Sequence, residues 1–408
     1  MDNEVSMTPP APTPARALAT EAVHAGRDDL ASLGLHAPPL DLSTTYPSYD
    51  SRAEAERIDA FATTGARPDG PPVYARLDNP TTGRFETALA RLEGTDSAVA
   101  FASGMAALTA VLLARASMGL RHVVAVRPLY GCSDHLLGAG LLGTEVTWTD
   151  PAGIADAIRP DTGLVMVETP ANPTLAEIDI RAVAHSCGSV PLLVDNTFAT
   201  PVLQRPVEHG ARIVLHSATK YLGGHGDVMG GVVACDEEFA ATLRQVRFAT
   251  GGVLHPLAGY LLLRGAVHPS GTRPGRFRLR RRTLPPAHRR PADRPGALPG
   301  DRRGDGLLRG VRGPARRDRG RPAHHARRQP GQRGLADPAP GLHQHRIVDE
   351  GDRQAAGVGD RLLRMSVGLE DVEDLWADLC QALSDGPLPQ ARTAERSARP
   401  TAGQSVRP

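Results

Sequence analysis

The chain has 408 residues, which is enough for two domains, because a single hydrophobic core stops growing at roughly 250–300 residues. Its formal net charge is +2, no run approaches the roughly 18 apolar residues of a membrane helix, and its first residues lack the basic and apolar regions of a signal peptide. We therefore expect a cytoplasmic protein. The four cysteines are far apart and lack zinc-ligand spacing, so we expect no metal site.

The N-terminal part of the chain predicts little regular structure. Residues 1–20 are rich in Pro, Ala and Thr without a periodic apolar face, which predicts a disordered tail. The turn-rich residues 21–75 predict an extended arm. From Thr81 to Gly94 apolar residues recur at helical spacing, so a helix is predicted there.

Short apolar runs then alternate with helical segments. The runs are Ala98–Phe101, His122–Val126, Thr144–Trp148, Leu164–Val167, Pro191–Val194, Ile213–Leu215 and Gly231–Ala234. This alternation, with nearly continuous Val, Leu and Ile, favours a mostly parallel sheet with helices on both faces. We assign residues 76–265 to one large α/β domain.

One motif after the first run is suited to an anion. Ser103, Gly104 and Met105 open a helical stretch, and a hydroxyl and a glycine before a helix leave backbone N–H groups at its positive end. The same residues are also typical of an ordinary N-cap. The motif alone therefore leaves both interpretations open.

A second motif contains the only lysine among 47 lysine and arginine residues, Lys220. A lysine amine can act as a nucleophile and form a Schiff base, whereas arginine stays charged. Ser217 and Thr219 lie beside it at the carboxyl end of a predicted strand, where ligands bind in open α/β sheets. The alternative is a surface lysine beside two ordinary hydroxyls.

The composition changes abruptly between Ala266 and Arg346, where 21 of 81 residues are arginine. One interpretation is a nucleic-acid-binding arm, because basic tracts neutralise phosphates. The other is a changed reading frame, because GC-rich DNA read out of frame yields Arg, Pro, Gly, Ala and His. We favour the frame change and expect residues 266–346 to be disordered. Residues 347–383 would then be the remnant of a C-terminal domain and 384–408 a disordered tail.

A lysine at one strand end and Asp195 at another, with an anion site at a helix N-terminus, are the parts that hold pyridoxal phosphate. The aldehyde of this cofactor needs an amine, its pyridine nitrogen needs a carboxylate, and its phosphate needs hydrogen-bond donors. The three features together are far more specific than any one alone.

The chain resembles the pyridoxal-phosphate-dependent Cys/Met metabolism enzymes, the trans-sulfuration family. The resemblance runs from about Glu21 to Gly265 and from Ile347 to about Leu383. Its motifs are Tyr74-Ala75-Arg76, Asn79-Pro80-Thr81, Ser103-Gly104-Met105, Tyr130-Gly131, Glu168-Thr169-Pro170-Ala171-Asn172-Pro173, Asp195-Asn196-Thr197-Phe198, Ser217-Ala218-Thr219-Lys220-Tyr221 and Arg364-Met365-Ser366-Val367-Gly368. It implies an aspartate aminotransferase-like large domain of fold type I and a C-terminal α/β domain that is disrupted in this chain.

The resemblance also implies roles for individual residues. Lys220 would bind the cofactor aldehyde and act as general base, and Asp195 would pair with the pyridine nitrogen. Tyr130 would stack on the ring and protonate the leaving sulfur, while Asn172 would contact the 3-oxygen.

Further roles concern the phosphate, the substrate and a second subunit. The phosphate would be held by Gly104, Met105, Ser217 and Thr219. Tyr74 and Arg76 would reach the phosphate in the neighbouring subunit, which implies a homodimer or homotetramer with shared sites. Arg364 would bind the substrate carboxylate, as a planar guanidinium does well.

The implied reaction is the α,γ-elimination of methionine, homocysteine or cystathionine to 2-oxobutyrate, ammonia and a thiol. Cys132 stands where cystathionine enzymes usually carry glycine and methionine γ-lyases carry cysteine, although a small apolar filler is the alternative. Two other functions stay open at this stage. They are γ-replacement, as in cystathionine γ-synthase or O-acetylhomoserine sulfhydrylase, and a catalytically dead cofactor-binding protein with a disrupted C-terminal domain.

Overall fold

The computed structural model describes residues 16–67, 70–267, 336–337, 348–358 and 364–365. Its helices are α1 (Leu18–His24), α2 (Ser51–Thr64), α3 (Pro80–Glu93), α4 (Gly104–Ser117), α5 (Gly131–Gly138), α6 (Ile154–Ala157), α7 (Ile180–Ser186), α8 (Thr200–Leu203), α9 (Glu237–Thr250), α10 (Pro256–Val267) and α11 (Glu350–Ala355). Its strands are β1 (Ser97–Phe101), β2 (His122–Val126), β3 (Glu145–Thr149), β4 (Thr162–Glu168), β5 (Leu192–Asp195), β6 (Ile213–His216), β7 (Gly231–Cys235), β8 (Ala336–Asp337) and β9 (Arg364–Met365). None of the helices in these ranges is long and apolar enough to cross a membrane.

A seven-stranded sheet with the order β1-β7-β6-β5-β4-β2-β3 forms the centre of the large domain. Strands β3, β2, β4, β5 and β6 pair in parallel, while β7 is antiparallel to β1 and β6. The prediction of a mostly parallel sheet is therefore confirmed. Because the carboxyl ends of parallel strands meet at one edge, the loops after β2, β4, β5 and β6 come together there.

Helices cover both faces of this sheet, which explains why the inner strands are buried along their whole length. On one face α4 and α9 pack against the strands, with Leu108, Leu112 and Leu243 in the core. On the other face α3 and α10 pack against β1, β6 and β7, and α6 and α7 pack against β2, β4 and β5. The sheet edge is thereby held rigidly between two layers.

Capping residues fix the ends of the predicted first long helix, α3. The Asn79 side chain accepts hydrogen bonds from the N–H groups of Thr81 and Thr82, and Pro80 supplies the first helical position. Gly94 ends the helix with a φ of 79°, which favours glycine. The prediction of Thr81 to Gly94 is confirmed to within one residue at each end.

The N-terminal arm contains more helix than the sequence predicted. The segment 1–20 already includes the start of α1, and the arm 21–75 includes α2. Asp50 caps α2 by accepting from two backbone N–H groups, and Gly65 ends it with a φ of 67°. Periodicity missed this helix because Phe61 is its one buried side chain, so it presents no wide apolar stripe. Residues 1–15 lie outside the described part.

The interpretation of residues 266–346 lies almost wholly outside the described residues. At its edges Ala266 and Val267 continue α10, and β8 pairs antiparallel with β9 through Asp337 and Arg364. The tail 384–408 and most of 347–383 are likewise outside the description.

Residues 348–358 pack against the large domain. The guanidinium of Arg127 lies 4.0 Å from the ring centroid of Trp148, contacts Asp134 at 2.7 Å and reaches Asp352 of α11 at 2.7 Å. Val358 is buried. This contact places α11 near the loop that follows β2.

Candidate active site

Three loops at the carboxyl edge of the sheet carry most of the predicted site. Glu168 ends β4, Asp195 ends β5, and Ser217 follows β6. Glu168 and Asp195 are paired in register on neighbouring parallel strands, so their side chains stand on the same face of the sheet. The structure therefore places Glu168, Asp195 and Ser217 at the same edge of the sheet, although they are far apart in the sequence.

Asp195 is buried at this edge, with 8% of its surface exposed. Its Oδ1 accepts hydrogen bonds from the backbone N–H of Thr197 at 3.0 Å and from the Thr197 hydroxyl at 2.5 Å. Among the described residues, both hydrogen bonds to the Asp195 carboxylate end on Oδ1. Oδ2 is therefore the oxygen that is available to a ligand. Burial raises the pKa of Asp195, and the bonds from Thr197 oppose that rise.

The N-terminus of α4 lies against the loop after β6. A Cβ added to Gly104 would lie 3.0 Å from the Cβ of Ser217, so this close approach favours glycine. Ser103 caps the helix by accepting from the N–H of Ala106, while Gly104 and Met105 stand in its first turn, where N–H groups lack intrahelical acceptors. Ser217 and the positive end of α4 thus face the same space.

The loop after β6, which contains Lys220, is held by contacts on both sides of this residue. The Lys220 N–H donates to the carbonyl of Ser217 at 3.1 Å, and the Phe198 and Tyr221 rings meet edge to face with centroids 5.9 Å apart. The Thr219 hydroxyl donates to the carbonyl of Gly230 at 3.2 Å and accepts from its N–H at 3.0 Å. Donation from Thr219 to a phosphate would therefore need its proton to rotate away from that carbonyl.

Tyr130 and Asn172 meet at one carboxyl group. Tyr130 precedes α5 and donates its backbone N–H to Oε2 of Glu168, while Asn172 donates its backbone N–H to Oε1 at 2.8 Å. Cys132 lies beside the phenol, with its Sγ 3.4 Å from the Tyr130 Oη. The loops after β2 and β4 are therefore joined through Glu168.

Tyr74 and Arg76 lie apart from this group in their contacts. The Arg76 guanidinium lies 5.3 Å from the Tyr74 ring centroid and 4.2 Å from that of Phe248, and it donates to the Phe248 carbonyl at 2.7 Å. Tyr74 and Arg76 are thus held together against α9. Arg364 lies in β9, and its side chain is outside the described residues.

Sequence reasoning missed the supporting residues Glu168 and Thr197. Both lie within motifs that carried the family resemblance, and Glu168 is an acidic residue at the end of an apolar run. An acid in that position is an available signal, because charged residues are seldom fully buried without a partner.

Comparison with known proteins identifies the family of this chain. The family model for Cys/Met metabolism PLP-dependent enzymes matches residues 19–267 and 336–384. The L-methionine gamma-lyase of Streptomyces avermitilis is 68% identical over 413 residues, covering 95% of this chain and 94% of that protein. The L-methionine gamma-lyase of Fusobacterium nucleatum is 34% identical over 90% of this chain and 98% of its own length.

Solved structures give the same result. A cystathionine gamma-lyase from Lactobacillus plantarum, complexed with L-serine, has a TM-score of 0.69 at 25% identity, covering 90% of this chain and 98% of that one. A cystathionine gamma-lyase from Micromonospora echinospora has a TM-score of 0.69 at 29% identity, covering 91% and 100%. The fold is that of the fold type I pyridoxal-phosphate enzymes, as predicted. The chain belongs to the Cys/Met metabolism family of pyridoxal-phosphate-dependent enzymes.

The residues at the sheet edge fit the cofactor of this family. They offer one amine on Lys220, one buried carboxylate oxygen on Asp195, and hydroxyl and amide donors where Gly104 approaches Ser217. This donor set matches the three chemical needs of pyridoxal phosphate.

The family match skips residues 268–335, which is most of the arginine-rich segment.

Proposed function

We propose that this enzyme is an L-methionine γ-lyase, which converts methionine and water to methanethiol, ammonia and 2-oxobutyrate. The observation that carries the proposal is the 68% identity to the Streptomyces avermitilis enzyme of that name over almost its whole length. The position of Cys132 beside the Tyr130 phenol supports it, since methionine γ-lyases carry cysteine there. Homocysteine and cystathionine are the further substrates that the proposal includes.

Bound pyridoxal phosphate supplies an electron sink that is conjugated with the substrate amine. Lys220 would supply the amine that holds the cofactor covalently, and the same amine would take the Cα proton as general base. The Asp195 carboxylate would keep the pyridine nitrogen protonated. Tyr130 would hold the proton that the leaving sulfur needs, and Asn172 would orient the ring.

The remaining roles concern the cofactor phosphate and the substrate carboxylate. The N–H groups of Gly104 and Met105 with the Ser217 hydroxyl hold the phosphate, and Thr219 fastens the loop and adds its hydroxyl. Arg364 binds the substrate carboxylate. Its place in β9, after the unmatched segment, makes the C-terminal part of the chain essential to the reaction.

We propose in addition that the enzyme is a homodimer or homotetramer with shared active sites. Tyr74 and Arg76 are held together on α9, and Tyr74 is 38% exposed, so its phenol is available to a neighbouring subunit. Large apolar side chains are also exposed along the arm, among them Leu33, Leu42 and Tyr49. Such a surface favours burial against a second copy. The cytoplasmic location stays a prediction.

The comparisons give no support to the alternative of a catalytically dead protein, because the relatives are L-methionine gamma-lyases. Because these sequence relatives are named as lyases, they also favour elimination over γ-replacement as the reaction of this enzyme. The test is to incubate the cofactor-loaded enzyme with methionine, cystathionine and O-acetylhomoserine in separate reactions. We expect methanethiol and 2-oxobutyrate from methionine. Rapid cleavage of cystathionine without methionine turnover would contradict the proposal.

A further inference from the structure

Glu168 is a buried carboxyl group that forms no ion pair with a cation in the described part of the chain. It is 4% exposed, and among the described residues no arginine, lysine or histidine lies within ion-pair distance of it. Buried Glu86 and Glu93, in contrast, contact Arg247 and His216, each at 2.6 Å. Burying a carboxylate away from any cation costs free energy.

The two oxygens of Glu168 hold two different loops. Oε2 accepts the N–H of Tyr130, in the loop after β2, and Oε1 accepts the N–H of Asn172, in the loop after β4. Each oxygen therefore fixes one residue that the proposed function places on the cofactor ring. Loss of the carboxyl group would remove one backbone hydrogen bond from each residue at once.

The surroundings of Glu168 act against its charge. Burial raises its pKa well above the ordinary value and the neighbouring Asp195 adds to this, while the N–H groups of Asn172 and Tyr130 lower it. The chain thus retains an acid at a position that disfavours the charged form. A group kept at an energetic cost beside a reactive site is typical of a functional constraint.

We propose that Glu168 is a positioning residue that sets the placement of Tyr130 and Asn172 against the cofactor by binding one backbone N–H of each. The proposal deepens the function proposed above and rests on the roles given there to Tyr130 and Asn172. Glu168 itself touches neither substrate nor cofactor in this role. Its effect on the reaction passes through the two loops that it joins.

The test compares Glu168→Gln and Glu168→Ala with Thr169→Val in the cofactor-loaded full-length protein. Glutamine keeps one acceptor oxygen and turns its amide donor toward the other N–H, so it removes one of the two hydrogen bonds, while alanine removes both. Thr169→Val is the matched control, because the Thr169 hydroxyl accepts the N–H of Ile178 in the same loop and does not reach Tyr130 or Asn172.

We expect Glu168→Gln to lower kcat by about 10- to 100-fold, because small misplacements of reacting groups cost factors of this size. We also expect a changed visible circular dichroism band of the bound cofactor, with a melting temperature close to that of the parent protein. Thr169→Val should leave the band and kcat unchanged. An unchanged band and kcat in Glu168→Ala, or the same losses in Thr169→Val, would overturn the proposal.

A double-mutant cycle with Tyr130→Phe separates positioning from general damage. If Glu168 acts in part through Tyr130, the loss of kcat caused by Glu168→Ala, which removes both hydrogen bonds, should be smaller in the Tyr130→Phe background. Fully additive losses would overturn the inference. The dichroism band needs no substrate, so it tests Glu168 even if methionine is not turned over, an outcome that would reject the proposed function instead.

Discussion

Glu93 and His216 form a buried pair behind the active site, with Oε1 of Glu93 2.6 Å from Nε2 of His216 and both side chains fully buried. Glu93 is the last residue of α3, and His216 is the last residue of β6, directly before Ser217. The same Glu93 oxygen accepts the side-chain amide of Asn196 at 3.0 Å, and Asn196 follows Asp195. The pair therefore links α3 to the two loops to which the pyridine and phosphate contacts are assigned in the proposed function.

Glu93→Ala should lower the free energy of unfolding by about 3–5 kcal/mol, the usual cost of removing one partner of a buried pair. Because Asn196 and His216 lose a common acceptor, the variant should also bind pyridoxal phosphate more weakly. Urea denaturation and cofactor titration measure the two effects.

A second buried histidine provides the control for this prediction. His122 begins β2 and is hydrogen-bonded to the hydroxyls of Thr162 at 2.7 Å and Thr147 at 2.9 Å, at the opposite edge of the sheet. His122→Gln should reduce stability while leaving cofactor affinity unchanged, whereas His216→Gln should reduce both. Equal loss of affinity in the two variants would contradict the link to the active site.

The single lysine gives an unambiguous chemical test of cofactor attachment. Borohydride reduction of the cofactor-loaded enzyme should add one phosphopyridoxyl group at Lys220, because no other lysine is present in the chain. Lys220→Ala should lose both the added mass and the visible band of the bound cofactor. A modified peptide that does not contain residue 220 would refute the assignment, and peptide mass spectrometry provides the measurement.

Asp195→Asn should retain covalent attachment of the cofactor and lose activity by orders of magnitude. The amide cannot hold a proton on the pyridine nitrogen by charge, so the electron sink is weakened. Thr197→Val removes one of the two bonds to Oδ1 and should cost much less. Steady-state kinetics with methionine measures the difference, and a kcat near the parent value in Asp195→Asn would contradict the role.

Cys132→Gly should shift the substrate preference from methionine toward cystathionine. The Cys132 Sγ lies 3.4 Å from the Tyr130 Oη, so glycine removes a contact to the proposed proton donor and widens the space beside it. The ratio of kcat/KM for the two substrates measures this shift. An unchanged ratio would mean that Cys132 fills space without selecting substrate.

Glu86 predicts a specific pH dependence of stability. Burial raises its pKa, but Arg247 and Arg67 outweigh that effect, so the pKa of Glu86 lies below its ordinary value of 4.5. An acid with a lowered folded pKa contributes stability above its unfolded pKa, and that contribution is lost as the pH falls through the folded pKa. Glu86→Gln should therefore destabilise at pH 7 and approach the parent protein below pH 4.5. A difference that stays constant between pH 7 and pH 3 would contradict this, as thermal melts across that range would show.

Much of the large domain could be predicted from the sequence because its signals are local. Continuous apolar runs such as His122–Val126 are typical of parallel strands buried on both faces, and the structure has that strand with the same bounds. Apolar periodicity from Thr81 and the glycine at position 94 similarly indicated where α3 begins and ends. Helix α2 was missed because Phe61 is its one buried side chain, so its sequence shows no periodic apolar stripe.

The sequence by itself determined which chemical groups are available: one lysine, an aspartate at a strand end and a glycine before a helix. Only the tertiary structure decided which of them meet. The register of β4 and β5 places Glu168 beside Asp195, and the backbone N–H groups of Tyr130 and Asn172 converge on Glu168 from two loops. Backbone N–H groups are present in every residue except proline, so no residue pattern marks these two as partners before the strands pair.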